Sequence, residues 1–214
     1  MLGMDEGRES RNLLLIGAGG IGTQLTELLV PALRRIGLQG TITLMDADVV
    51  EAANLGHQRY TEADIGRPKV SAVAERLDDE TTSLRVKAVI ENLRAAEQLN
   101  GYDFVVVCVD RPEPRRLVHQ LDVPWLDLRC SGDGHVALSY RSLPALVERM
   151  TPDHAPASCQ VPGALDAGNL EYGFASAAAF GAQWATQLWR GRSAPVQSMG
   201  SLTYGALAFP EVIA

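Results

Sequence analysis

The chain has 214 residues, 46% hydrophobic and 21% charged, which is the size and composition of a single ordinary globular domain. Its 26 acidic residues outnumber its 19 basic ones, and the net charge of -7 disfavours nucleic acids and anionic membranes as partners. No apolar stretch approaches the roughly 18 residues of a membrane span, and the acidic start of the chain lacks the features of a secretory signal.

Hydrophobic periodicity predicts alternating strands and helices through most of the chain. Short apolar or β-branched segments are predicted to be strands at 12–17, 41–46, 84–90, 104–109, 123–130 and 135–141. Helices are predicted at about 20–36, within 61–80 with Thr61 as N-cap, and at 169–191. Because 104–109 is apolar on both faces, it belongs in a parallel sheet covered by helices. The order predicts a Rossmann-like α/β fold with a mostly parallel sheet flanked by helices and antiparallel strands toward the C-terminus.

The chain is interpreted as one domain over 1–214, with a flexible N-terminal segment at 1–10. Residues 142–168 contain four prolines and several small residues without a visible period, so they are predicted to form a long, mobile loop. The Ala-rich segment at 169–191 is nearly apolar all round, which favours a core or dimer-interface helix over a membrane helix. The tail at 196–213 has room for one or two edge strands.

A glycine-rich turn, G-A-G-G-I-G, joins the first predicted strand to the first predicted helix. Its glycines are Gly17, Gly19, Gly20 and Gly22. In that setting the backbone approaches a phosphate closely and helix N-terminal amides face it, although a tight structural turn explains the same residues. Asp46 ends the next strand, where a carboxylate accepts hydrogen bonds from ribose hydroxyls. These residues alone predict a nucleotide site, and they also fit a dehydrogenase.

The residues that follow Asp46 indicate which class of nucleotide-binding protein the chain resembles. Segment 45–70 contains D-x-D-x-V-x-x-x-N-L-x-x-Q and then G-x-P-K, and a later strand ends in an aspartate. The matching residues are Asp46, Asp48, Val50, Asn54, Leu55, Gln58, Gly66, Pro68, Lys69 and Asp110. Together with the glycine turn, this spaced combination resembles the adenylating superfamily of ThiF, MoeB and the ubiquitin-activating enzymes over about residues 11–191.

The resemblance implies a site for ATP and Mg²⁺ with a role for each matching residue. Asp46 would hold the ribose and the glycine turn would hold the phosphates. Lys69 would neutralise the charge that builds on phosphate oxygens during adenylation, and Asp110 would hold Mg²⁺, which prefers carboxylate oxygen. An alternative stays open for each of these two residues. Lys69 is also explained as a solvated lysine on a helix, and Asp110 as the N-cap of a helix before Pro112. The remaining nucleotide-site residues would be Asp48, Asn54, His57 and Gln58.

One departure from the family pattern concerns an arginine. The family motif N-L-x-R-Q has His57 in the arginine position of this chain. A neutral imidazole does not replace a guanidinium on phosphate, so either Arg59 or Arg67 reaches in, His57 acts protonated, or activity is weak. Arg59 is the candidate taken into the catalytic set. In the family a further arginine comes from a partner's N-terminal segment, for which Arg8 and Arg11 are the candidates.

The three cysteines, which include no C-x-x-C pair, favour a reducing cytoplasm and predict that no structural zinc is bound. Cys108 lies within an apolar strand and is predicted to be buried. Cys130 ends a strand near the same sheet edge, where burial is favoured over a place in the pocket. Cys159 lies in the long loop, where exposure and flexibility suit a nucleophile and His154 is a candidate base. The resemblance implies that Cys159 forms a thioester or acyl-disulfide with a protein partner; an incidental loop cysteine is the alternative.

The resemblance implies an enzyme that adenylates the C-terminal glycine of a ubiquitin-like or sulfur-carrier protein of the β-grasp class. A conjugating enzyme is a further partner in such pathways, and family members generally work as dimers. The compact, zinc-free form resembles single-domain activating enzymes of bacterial operons, some linked to phage defence. The alternatives are a non-catalytic pseudoenzyme subunit that supports an active partner, adenylation of a small molecule or a tRNA base, and, third, an NAD-dependent oxidoreductase.

Overall fold

The computed structural model describes residues 10–155, 159–161, 163–164 and 167–212. Arg8, most of the N-terminal segment and parts of the predicted loop lie outside the described residues. The strands found there are β1 (Arg11–Ile16), β2 (Gly40–Met45), β3 (Leu84–Val89), β4 (Phe104–Val107), β5 (Trp125–Ser131), β6 (Gly134–Ser139), β7 (Gln197–Ser201) and β8 (Gly205–Ala206). The α-helices are α1 (Gly20–Arg35), α2 (Lys69–Leu77), α3 (Pro112–His119), α4 (Pro144–Arg149) and α5 (Gly173–Trp189).

The strands form one sheet in the order β3-β2-β1-β4-β5-β6-β7-β8. Strands β1 to β5 pair in parallel, and β6, β7 and β8 are each antiparallel to the preceding strand. From β1 the chain continues to β2 and β3 on one side and then to β4 and β5 on the other side. The connections that leave β1 and β4 therefore diverge, and a crevice lies between them at the carboxyl ends of these strands. The predicted Rossmann-like fold, with antiparallel strands toward the C-terminus, is confirmed.

Strand β1 shows why the sheet is covered on both faces. Its side chains alternate between two apolar clusters: Leu13 and Leu15 belong to one, and Leu14 and Ile16 belong to the other. All four are essentially inaccessible to solvent. Helices α1, α2 and α5 cover the first face, while α3 and α4 contribute to the second. A strand that is apolar on both sides is the expected centre of such a three-layer arrangement.

Helix α5 lies in the core of this chain. It packs against α1, β5 and β6, and its Phe174 and Trp184 are completely buried. Phe104 of β4 contacts Trp184 and Trp189 edge to face, with ring centroids 6.4 and 5.3 Å apart. The apolar composition of the segment is therefore explained by packing within the chain. None of the described helices combines the length and hydrophobicity needed to cross a bilayer.

Two segments differ from their predictions. The loop predicted from residue 142 is interrupted by α4, which begins at Pro144 and buries Leu146 and Val147; a helix of six residues is too short to display a period. Thr61 does not cap the amphipathic helix. Its hydroxyl and backbone N–H both donate to the Asp64 carboxylate in a separate 3-10 turn, and α2 starts later, at Lys69.

We expect Trp184→Ala to destabilise the fold strongly. Trp184 is 0% exposed, and its removal leaves a cavity between the sheet and α5 that costs about 3–5 kcal/mol in the free energy of unfolding. Tyr204→Ala is the matched control, because Tyr204 is 80% exposed in the turn before β8. Urea denaturation of both variants measures the difference; equal stabilities would contradict the described packing.

Candidate functional site

An open cleft lies at the carboxyl ends of β1, β2 and β4 and has a volume of about 910 Å³. Cavities that bind ligands of nucleotide size have volumes of about 300–1,000 Å³. The cleft thus occupies the crevice where ligands bind in open α/β sheets. The sequence-predicted residues that line it are Gly17, Gly19, Gly20, Asp46, Asp48, His57, Gln58, Lys69, Asp110 and Cys159.

The glycine turn brings the start of α1 against the end of β1. Gly17 has φ +101°, a conformation that disfavours a side chain. A Cβ on Gly22 would lie 1.9 Å from the carbonyl oxygen of Gly17, so only glycine permits this approach. The first turn of α1 carries no acidic side chain. The backbone amides at the helix N-terminus therefore offer an anion site on the floor of the cleft.

Asp46 is held in place by the backbone of the turn. Its carboxylate accepts hydrogen bonds from the Ala18 N–H at 2.6 Å and the Asp48 N–H at 2.8 Å. Burial raises the pKa of Asp46, an effect that these two backbone hydrogen bonds oppose. The Tyr60 hydroxyl donates to the Ala18 carbonyl oxygen at 2.6 Å and supports the same turn from behind. Each carboxylate oxygen keeps a free lone pair with which to accept a ribose hydroxyl.

Lys69 reaches the cleft from the first residue of α2. Its side chain is only 8% exposed, and Nζ donates to the Asp48 carboxylate at 3.0 Å. The two residues are also joined through the backbone, since the Lys69 N–H donates to the Asp48 carbonyl at 2.9 Å. The G-x-P-K segment therefore positions a buried ammonium group beside the end of β2. Lys69 is therefore not a freely solvated lysine, which was the alternative interpretation of this residue.

Asp110 follows β4 and is exposed at the mouth of the cleft. Arg111 is the N-cap residue of α3, so Asp110 does not cap that helix. Within the described residues no hydrogen bond to the Asp110 carboxylate is found, and no group of three or more metal-binding side chains is gathered. One free carboxylate beside an anion site fits Mg²⁺, which usually binds one or two carboxylates together with substrate phosphates and water.

His57 and Gln58 lie on the wall of the cleft beside the glycine turn. His57 is 6% exposed, and burial lowers its pKa, so the ring is neutral at pH 7. The Gln58 side-chain amide donates to the His57 Nε2 at 3.4 Å. Asn54 lies outside the cleft: its side chain accepts the Glu51 N–H at 2.9 Å and lines an adjacent pocket of about 390 Å³.

The arginines proposed to replace the family arginine do not reach the cleft. Arg59 donates to Glu27 on the outer face of α1 at 2.7 Å, and Arg67 is paired with Asp64 and Glu75. Neither side chain lines the cleft, because each has a carboxylate partner elsewhere. Arg11, the candidate for an arginine supplied by a partner's N-terminal segment, begins β1 at the opposite end of the sheet from the cleft of its own chain, and its role in a partner's site stays a prediction.

An ionic cluster that was not predicted from the sequence lies under one wall of the cleft. The fully buried Asp127 accepts hydrogen bonds from both Arg115 and Arg129, and from His119 at 3.0 Å. Burial, followed by the charge of Arg129, lowers the pKa of His119 to about 4. Two guanidiniums thus share one buried carboxylate. The i,i+4 spacing on α3 and the i,i+2 spacing on β5 are the signals that would have placed these side chains on common faces.

All three cysteines line the cleft. The Cys108 thiol donates to the carbonyl oxygens of Ile16 and Gly17 at 3.2 and 3.3 Å, and burial raises its pKa. Cys130, predicted to be buried rather than in the pocket, reaches the cleft with a half-buried side chain. Cys159 is likewise half-buried and packs against the core, so the exposed side chain predicted for it is not observed.

Cys159 is adjacent to Cys130. The Gly132 N–H donates to the Cys159 carbonyl at 3.0 Å and ties the segment to the end of β5. Hydrogen bonding between the two thiols lowers the pKa of Cys159 and raises the pKa of Cys130. His154, the predicted base, lines the cleft, but its Nδ1 bonds the Ala155 carbonyl at 2.8 Å. Cys130 is therefore the residue that favours the Cys159 thiolate.

We expect Cys159 to react with iodoacetamide at a lower pH than an ordinary thiol. Cys130→Ala removes the hydrogen-bond donor, so the midpoint of the pH–rate curve for Cys159 should rise, whereas Cys130→Ser keeps a donor and should retain more of the shift. Cys108→Ala is the control, with an unchanged midpoint. Peptide mapping by mass spectrometry follows the reaction of each thiol. An unchanged midpoint for Cys159 in the Cys130→Ala variant would contradict the assignment.

Proteins of known name are similar to about half of this chain. Adenylyltransferase and sulfurtransferase MOCS3 of Arabidopsis thaliana is 38% identical over 111 residues, which is 50% of this chain and 23% of that protein. Sulfur carrier protein adenylyltransferase of Thermus thermophilus is 34% identical over 116 residues, which is 52% of this chain and 41% of that protein. The chain thus spans less than half the length of these two relatives.

A solved structure of E. coli MccB with ATP has the same fold. It superimposes with a TM-score of 0.68 over 91% of this chain and 61% of that chain, at 19% sequence identity. The model of the ThiF family matches residues 2–197, which is most of the sequence. The chain therefore belongs to the ThiF family.

Proposed function

We propose that this chain is an ATP-dependent adenylating enzyme. The observation that supports the proposal is the convergence of the glycine turn, Asp46, Lys69 and Asp110 on one cleft. In adenylation a carboxylate oxygen attacks the α-phosphorus of ATP, the bond to the β-phosphate breaks, and pyrophosphate leaves. The reaction needs a nucleotide held by its ribose and phosphates, and a cation where negative charge builds.

Three side chains of the cleft and the glycine turn each have one task in this reaction. Asp46, fixed by two backbone amides, accepts the ribose hydroxyls, and the helix N-terminus after Gly17 binds phosphate oxygens. Lys69, held against Asp48 at the end of β2, supplies its ammonium group where negative charge builds on the α-phosphate. Asp110 would hold Mg²⁺, which supplies charge neutralisation on the phosphate oxygens when bound.

We propose the C-terminal glycine of a ubiquitin-like or sulfur-carrier protein as the acceptor. The Thermus relative is by name an adenylyltransferase for a sulfur carrier protein, and a yeast relative, 26% identical over 140 residues, is by name a NEDD8-activating enzyme subunit. A terminal glycine places its carboxylate on a backbone without a side chain, so no side chain hinders its approach to a nucleotide in the cleft. A dimer and a conjugating enzyme stay predictions.

Cys159 is proposed to capture the activated partner. Its thiolate attacks the acyl carbon of the acyl-adenylate, the carbon–oxygen bond to AMP breaks, and AMP leaves with the electron pair while the thiol proton passes to water. The position of Cys159 in the same cleft as Lys69 and Asp110 supports this step. The lowered pKa of the thiol raises the fraction present as the attacking thiolate.

A non-catalytic nucleotide-binding subunit is the second candidate. The observation in its favour is His57, which is buried and neutral in the position where the family pattern has an arginine. Such a subunit binds ATP but does not form an acyl-adenylate. The two functions therefore differ in one measurable reaction.

ATP–pyrophosphate exchange separates them. With a β-grasp protein ending in Gly-Gly, we expect exchange by the wild-type chain and a loss of about 10²–10³-fold in Lys69→Ala, because charge stabilisation at the phosphate is removed. Lys87→Ala is the matched control: Lys87 is the other lysine of the chain and is exposed on β3. ATP binding without exchange, for every such carrier tested, would favour the non-catalytic subunit.

A further inference from the structure

The cleft has more cations than the sequence motifs indicate. Besides Lys69, four arginines line it: Arg94, Arg111, Arg115 and Arg129. A triphosphate carries several negative charges, and guanidinium groups bind phosphate oxygens in pairs through their fixed fork of donors. A guanidinium that already has a carboxylate partner is not available for this binding.

Two of the four arginines are already engaged. Arg115 and Arg129 both donate to the buried carboxylate of Asp127. Arg115 also donates to the carbonyl oxygens of Val109 and Leu128, and Arg129 donates to the carbonyl of Met150. Withdrawing either group from Asp127 would leave a buried charge without a partner, which is strongly unfavourable.

Arg94 and Arg111 are exposed side chains. Within the part of the chain that the structure describes, neither guanidinium has a hydrogen bond or ion pair, so both are free to bind a ligand in the cleft. They differ in their positions along the sheet. Arg94 follows β3, which is separated from β1 by β2, and it therefore stands on the Asp46 side of the cleft.

Arg111 stands on the phosphate side. It follows β4, the direct neighbour of β1, with Ile16 paired to Val107. A Cβ on Gly17 would lie 3.0 Å from the Cys108 carbonyl oxygen, so the chain leading to Arg111 passes directly beside the glycine turn. Arg111 is also next in sequence to Asp110, the proposed Mg²⁺ ligand.

We propose that Arg111 binds the β- and γ-phosphates of ATP and supplies the guanidinium that this chain lacks at position 57. This inference rests on the proposed binding of ATP in the cleft. The proposal explains how a guanidinium can bind the phosphates although the position of the family arginine holds His57, which is buried and neutral. Arg111 is thus a substrate-binding residue for the leaving pyrophosphate.

Calorimetric titration with Mg·ATP, Mg·ADP and AMP tests the assignment. We expect Arg111→Ala to weaken ATP binding by about 10- to 100-fold, the cost of losing a charged hydrogen-bond partner. The loss should be smaller for ADP and absent for AMP, which has no phosphate beyond the α position. Arg111→Lys should lie between the wild type and Arg111→Ala, because an ammonium keeps the charge but not the fork.

Two further variants serve as controls. Arg35→Ala removes an exposed arginine from the end of α1, remote from the cleft, and should leave all three affinities unchanged. Arg94→Ala removes the other free guanidinium and should not change the ratio of ATP to AMP affinity. Circular dichroism melts confirm that each variant is folded.

A rescue experiment tests directly whether an arginine at position 57 can take over the role of Arg111. His57→Arg in the Arg111→Ala background restores a guanidinium at the family position and should recover part of the lost ATP affinity. Equal ATP-to-AMP affinity ratios in the wild type and Arg111→Ala, or a phosphate-dependent loss in Arg94→Ala instead, would overturn the inference and leave the proposed function standing. Failure of the wild-type chain to bind ATP would overturn both.

Discussion

The contact between the start of helix α1 and the end of strand β1 is the constraint on which the site depends. Gly22 faces the carbonyl of Gly17 at a distance that excludes any Cβ, so the helix N-terminus is fixed over the end of the central strand. The amides exposed there form an anion site, and Asp46 is fixed by an amide of the same turn. Every other functional group is positioned relative to this turn, because the sheet carries the ends of β2 and β4 to either side of it.

Several cationic side chains of the cleft are held by ion pairs with carboxylates. Lys69 is paired with Asp48, and Arg115 and Arg129 share Asp127, so these cations are held in place before any ligand arrives. Such preorganised charges stabilise a reaction without the cost of reorienting solvent. The net charge of the chain is -7, and among the described residues the cleft is lined by five basic and five acidic side chains. The binding of an anionic substrate therefore depends on where the cations stand in the cleft and not on its net charge.

The fold and part of the site were predictable because their signals are local. Buried strands appear as short apolar runs, and the glycine turn and Asp46 stand at strand ends, where one edge of the sheet collects them. The roles of Lys69 and Asp110 were implied by the resemblance to the family pattern. Arg59 was selected by sequence proximity, but Glu27 of α1, distant in sequence, holds its side chain outside the cleft. The Asp127 cluster and the Cys130–Cys159 contact join distant segments, so no local pattern indicates them.

The central claim is that the cleft holds ATP with its triphosphate between the glycine turn and Asp110. A crystal structure of the chain with Mg²⁺ and a non-hydrolysable ATP analogue tests it most directly. The account predicts ribose hydroxyls on Asp46, phosphate oxygens on the amides that follow Gly17, and Lys69 and Asp110 turned toward the phosphates. A nucleotide bound elsewhere, or Lys69 and Asp110 directed away from the triphosphate, would contradict it.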